Sequence, residues 1–123
     1  MSRARTLLGK TGEDLACDEL ERRGYVIVAR RYRRRGGELD IVARDGAVLV
    51  FVEVKTREVS TFGAGAEAVT ALKRRRIVRL ALDYISRHHV GECACRFDVV
   101  SVSFGRQGRP SIEVVQSAFE ACS

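Results

Sequence analysis

Asp40 lies in one β-rich run, Glu38 to Ala43, and the tripeptide Glu53-Val54-Lys55 closes the next, Val48 to Lys55. Asp45-Gly46 stands between the two runs, a strong signal for a two-residue hairpin. With Asp45 and Gly46 at the tip, Asp40 faces Phe51 and Glu38 faces Glu53. Side chains alternate along a strand, so Glu38, Asp40, Glu53 and Lys55 are expected on one side of the sheet. Asp40 and Glu53 become diagonal neighbours, with β-carbons roughly 7–8 Å apart. Two such carboxylates repel, and burial raises the cost of each charge. A divalent cation resolves the conflict, and hard carboxylate oxygens suit Mg2+ or Mn2+. A metal so held can activate water, neutralise phosphate oxygens and stabilise a leaving oxygen, which together hydrolyse a phosphodiester. Lys55 would orient the attacking water or stabilise charge developing on phosphorus.

The elements needed to position these residues are legible. A first helix ends near Arg23, with Gly24 after it as the expected C-terminal residue. Glu13, Ala16, Cys17 and Leu20 share one face of it. Glu13 thus reads either as a carboxylate facing a polar pocket or as an ordinary first-turn acid complementing the helix dipole. Tyr25 to Ala29 is the first strand, followed by the two runs of the hairpin. A loop, Thr61 to Gly65, leads to a helix from Thr70 to Arg87, in which Ile77, Leu80, Ala81, Tyr84 and Ile85 repeat at helical spacing. Arg96 to Phe104 and Ser111 to Gln116 complete the sheet, joined by the loop Gly105 to Pro110. The order α-β-β-β-α-β-β predicts an α/β fold, a mixed sheet with helices against its faces and a parallel crossover from the third strand to the fourth.

At 123 residues, 46% of them apolar, the chain suits one domain, residues 1–123, with a proper core. The net charge of +6 and pI near 9.6 favour a polyanionic partner, of which nucleic acid is the commonest. Arg30, Arg31, Arg33, Arg34 and Arg35 precede the acidic strand; Lys73, Arg74, Arg75 and Arg76 open the long helix. Lys73 continues the apolar stripe of Ile77 and Leu80, so its ammonium is expected at the helix N-terminus, a favourable phosphate position. Arg33, Arg34, Arg35, Lys73, Arg74 and Arg76 are the expected contacts to a DNA backbone, read by shape rather than by base. No secretory or membrane-spanning run is visible, and the chain is expected in the cytoplasm. Cys17, Cys93, Cys95 and Cys122 lack the spacing of a disulfide framework. His88, His89, Cys93 and Cys95 lack the order of a zinc finger and read as a surface loop.

An Asp on one strand followed by E-x-K on the next resembles the PD-(D/E)xK nuclease superfamily. More closely, GKTGEDLACDELERRGY, GGELDIVARDG, LVFVEVKTR, FG, KRRRI and RFDVVSV resemble the YraN family of small bacterial proteins, from Gly9 to Val102. The resemblance implies a restriction-endonuclease-like fold, similar to archaeal Holliday-junction resolvases. Asp40, Glu53 and Lys55 map onto the catalytic positions. Glu13 matches the first-helix acid that completes the metal site, giving Glu13, Asp40 and Glu53 as expected ligands. Leu39 stands where the nominal motif has proline. The expected function is divalent-metal-dependent endonucleolytic cleavage of DNA, on branched or damaged substrates. A module that binds nucleic acid without cutting it is the second reading, and a scaffold that dimerises through its sheet edge the third. A homodimer is an arrangement the sequence leaves open.

Overall fold

The computed structural model describes residues 11–58, 70–105 and 109–119. Helix α1 spans Gly12–Arg22, and its start is written in four residues. Thr11 caps it by accepting from the Asp14 N–H at 3.1 Å, while Asp14 accepts from the Thr11 N–H at 3.1 Å. That reciprocal pair satisfies two otherwise orphaned donors. Gly24, with φ of 99°, turns the chain out of the helix as expected. Helix α2 spans Ala71–Arg87 and is capped by Thr70, whose hydroxyl accepts from the Lys73 N–H at 3.1 Å.

Five strands form one sheet in the order β1-β2-β3-β4-β5: Val26–Arg34, Gly37–Asp45, Val48–Glu58, Cys95–Phe104 and Ser111–Phe119. The β3–β4 pair is parallel and the other three are antiparallel. This is the mixed α/β sheet and element order that the pattern predicted. The expected loop at Thr61 to Gly65 and Cys122 fall outside the described residues.

Each face of the sheet carries its own apolar cluster. On the α1 side, Ala16, Cys17 and Leu20 pack on Ile41, Ala43, Val50, Val52, Val100 and Val102. On the α2 side, Ile77, Leu80, Ala81 and Tyr84 pack on Leu39, Val42, Leu49, Phe51, Phe97 and Val99. Val50, Val100 and Val102 are wholly buried, and each such side chain contributes about 1.5–3 kcal/mol through burial. Leu49 and Val50, adjacent on β3, fall in opposite clusters, as the two-residue repeat of a strand requires. At the start of α1, Gly12 lies so close to Thr56 of β3 that a β-carbon there would collide with the hydroxyl.

Two details depart from the sequence expectation. First, β1 continues through the arginine run to Arg34, pairing Arg33 with Glu38 and Arg34 with Gly37. The run is an edge strand rather than a lead-in, because β2 offers it backbone partners along its whole length. Second, the hairpin turn is Gly46-Ala47, with Asp45 paired to Val48. Gly46 has φ of 64°, at the position where a type II′ turn takes glycine. Asp45 is thereby spared a left-handed conformation, and its carboxylate accepts from Arg96 at 2.9 Å. The register moves by two residues, which leaves every side chain on its expected face but changes who stands opposite whom.

Candidate functional site

The β2–β3 ladder runs from Asp45↔Val48 to Ile41↔Val52 and stops there. One more step of that register sets Asp40 across from Glu53, nearer than the diagonal placement the shorter hairpin gave. The regular alternation of β2 also slips at this point, since Leu39 and Val42 both join the α2-side cluster. Asp40 takes over the ladder's role: its Oδ2 accepts the Val54 N–H at 2.8 Å. The sheet therefore splits locally, and a carboxylate fills the split.

Glu53 follows Leu49 and Phe51 on the α2 face of β3 and is only 8% exposed. Its carboxyl group neighbours that of Asp40 and helps to raise it, by charge and by hydrogen bonding. From the other side, Lys73 of α2 brings Nζ to 2.7 Å from Glu53 Oε2. Burial first, then the neighbouring charge of Glu53, push the Asp40 carboxyl up to about 7, against the lowering effect of the Val54 N–H. Asp40 thus holds its proton through mildly acidic pH, where an exposed aspartate has lost it.

That proton has a stability consequence with a definite sign. The folded chain keeps a proton that the unfolded chain releases from about pH 4 upward, so the contribution of Asp40 to stability is greatest below that point and falls as pH rises toward 7. Allowing for the partial exposure of Asp40, the expected loss is about 1–3 kcal/mol between pH 4 and 8. Urea denaturation of chelator-treated protein across that range measures it. Asp40→Asn should flatten the dependence; an equal slope in the variant would assign the effect elsewhere.

The remaining predicted residues are distributed more widely. Lys55 follows Glu53 on the same face of β3, half-buried and paired in register with Ser101 of β4. Glu13 is drawn elsewhere: its two oxygens take Arg30 Nε at 2.8 Å and Arg31 Nε at 3.0 Å, both on β1. Glu38 turns to Arg33 at 2.8 Å and touches the pair only through its field. Among the described residues, no group of three or more His, Cys, Asp and Glu is gathered as for a metal ion. What the fold brings together is Asp40, Glu53 and Lys73, with Lys55 following on the same strand face. Two oxygen-donor groups of this kind can hold a hard cation, and water can fill its other positions.

The arginines expected to meet a polyanion line the α2 side and the rim of β1. Arg34 pairs with Asp83 of α2 at 3.2 Å. Arg34, Arg35 and Gly36 face Arg79, Leu80 and Asp83 across a shallow cleft of about 220 Å3. The stem of Arg76 lies along Gly37, and Arg74 stands 6.0 Å from the centre of the Phe119 ring. The two basic segments, separate in sequence, thus approach each other at the β1–β2 turn. Cys93 is free and exposed ahead of β4, as a surface loop requires, whereas Cys95, also free and exposed, opens β4 in register with Leu49. The assignment that sequence reasoning missed is Lys73, placed with the phosphate contacts but bonded here to Glu53. The signal was present: Lys73 stands in the stripe that faces the sheet.

A model of the family described as "Uncharacterised protein family UPF0102" matches residues 12–102. The chain is similar to a UPF0102 protein of Symbiobacterium thermophilum, 49% identical over 114 residues, covering 93% of this chain and 97% of the relative. A UPF0102 protein of Geobacter metallireducens is 48% identical, covering 92% of each. One from Frankia alni is 46% identical, covering 95% of this chain and 98% of its own.

Proposed function

We propose that this chain, which belongs to the uncharacterised protein family UPF0102, the YraN family, is a divalent-metal-dependent endonuclease acting on DNA. The observation that carries this reading is the meeting of Asp40 and Glu53, two largely buried carboxyl groups, in a split of the sheet. A sheet built for stability alone would place apolar or β-branched side chains there. The residues suit Mg2+ or Mn2+: the donors are hard oxygens, the pair is too crowded to carry two charges, and a cationic Lys73 already lies against one of them.

Asp40 and Glu53 would hold the metal, which when bound supplies Lewis-acid activation of water and of the phosphate. Glu13 would join only by leaving Arg30 and Arg31. Lys55, following Glu53 along the strand face, would place its ammonium against the phosphate as charge builds there. The cleft of Arg34, Arg35 and Arg79 and the exposed stretch of α2 suit successive backbone phosphates, a mode that reads duplex or junction shape rather than base identity. No helix among the described residues is long and apolar enough to cross a membrane, and a cytoplasmic site of action with DNA as partner accords with this reading, as does a homodimer on two DNA arms.

Purified protein is expected to cut at least one of linear, nicked, flapped and four-way-junction DNA with Mg2+ or Mn2+, and chelation should stop it. Equal cutting by Glu53→Ala would expose a contaminant and end the assignment. Salt-sensitive binding of every substrate without cleavage would instead favour a binding module with the same fold.

A further inference from the structure

Lys73 is badly placed for the helix that carries it. The first turn of α2 has no acidic residue, and a cation near a helix N-terminus costs a few tenths to about 1 kcal/mol. Thr70 fixes the backbone there by accepting the Lys73 N–H. Ile77, Leu80, Ala81 and Tyr84, later on the same helix, are buried against the sheet. Lys73 stands at the open end of that stripe. Its side chain is 44% exposed, while that of Glu53 is 9% exposed and held by a central strand. The movable partner of the pair is therefore the lysine.

We infer, on the footing of the metal site proposed above, that Lys73 is the resident counter-cation of the Asp40–Glu53 pair and that a divalent metal enters by displacing it. Glu53 is too buried to remain charged alone without cost. An ammonium 2.7 Å from Glu53 Oε2 supplies the missing charge. A divalent cation on the same carboxylate would bring twice that charge to the same group. The ammonium would then face a double positive charge at close range, which weakens its hold on Glu53. Lys73 has a flexible stem and an open path to water, so it yields. The metal-free protein stays folded with its carboxylates neutralised, and metal affinity is set by a competition within the chain. Lys73 thereby acts on the site through Glu53, as a positioning residue.

The competition predicts a sign. Mn2+ binding to the full chain is measured by the loss of the free-ion electron paramagnetic resonance signal, without reference to activity. Lys73→Met, and Lys73→Gln as a second variant that can still hydrogen-bond Glu53, should bind Mn2+ about tenfold more tightly than the parent. Lys73→Arg, which keeps the charge, should stay near the parent affinity. In chelator, Lys73→Met should melt lower than the parent, and Mn2+ should raise its melting temperature by more. Weaker or equal Mn2+ binding by both neutral variants would overturn the inference while leaving the metal site standing. Lys73→Arg binding as tightly as Lys73→Met would also overturn it. No Mn2+ binding by the parent or by any variant would overturn the metal site and this inference together. Binding by the neutral variants alone would support both.

Discussion

Glu53→Gln is expected to lower metal-dependent DNA cleavage by about a thousandfold or more, equivalent to about 4 kcal/mol of transition-state stabilisation, without unfolding the chain. The two halves of that result have different causes. The substitution keeps the size and shape of a side chain that is 8% exposed, so no cavity forms. It removes one of two carboxylates that crowd each other, and Lys73, with its side chain 44% exposed, can reach water once released. The metal-free variant should therefore melt no lower than its parent. On the proposed function the metal would lose an anionic ligand for which an amide oxygen is a poor substitute, and the chemistry it supports would be lost with it. Single-turnover cleavage and thermal melting in chelator separate these effects. Cleavage within tenfold of the parent, in a variant that melts normally, would remove Glu53 from the site.

Asp98→Ala should have the largest effect on stability, about 3–5 kcal/mol in denaturant-derived free energy. Asp98 is completely buried on β4. Its carboxylate accepts from the Tyr25 hydroxyl at 2.8 Å, from Arg96 Nε at 2.9 Å and from the Ser117 N–H at 3.0 Å. The Tyr25 hydroxyl in turn accepts from Arg96 at 2.8 Å and from Gln116 at 3.0 Å. The cluster ties the segment after α1 to both β4 and β5 at the point where their register shifts, between Phe97 and Val99. Alanine would leave the Ser117 N–H and the Tyr25 hydroxyl short of a partner and Arg96 with Asp45 in place of two carboxylates. Asp98→Asn keeps the shape and part of the bonding, and should cost roughly half as much. A loss under about 1 kcal/mol for Asp98→Ala would mean that the network adjusts around the gap. Asp98 lies between Phe97 and Val99, which face α2, so its own side chain points to the α1 face, away from the Asp40–Glu53 pair. Under the proposed function, the surviving fraction of folded protein should therefore bind metal as the parent does.

These effects fall on opposite faces of the sheet, which explains how the fold carries a crowded site. The α1 face is closed by aliphatic packing and by the fully bonded Asp98 cluster. No buried side-chain nitrogen or oxygen among the described residues lacks a hydrogen-bond partner. The α2 face, beside the same strands, carries the Asp40–Glu53 pair at the end of the β2–β3 ladder, where the sheet has already parted. Strain of like charge is thus confined to a place where the backbone has a side-chain carboxylate to bond and a helix to supply a cation.

Local pattern determined a great deal on its own. Apolar spacing placed both helices, because a helix must repeat its buried positions every three to four residues. Alternation placed Glu53 and Lys55 on one face of β3, and the glycine of the turn announced the hairpin. These are short-range consequences of backbone geometry, readable without knowing what lies across the sheet. Tertiary structure decided the rest. The hairpin register depended on whether Asp45 entered the turn or paired with Val48, and Arg96, distant in sequence, takes its carboxylate. The arginine run became strand because β2 was there to pair with it. Glu13 met Arg30 and Arg31, and Lys73 met Glu53, because ion pairs form between whichever opposite charges the fold brings near. The sequence could show that two acids and a lysine share a strand pair; only the packing of α2 on the sheet could show which lysine neutralises them.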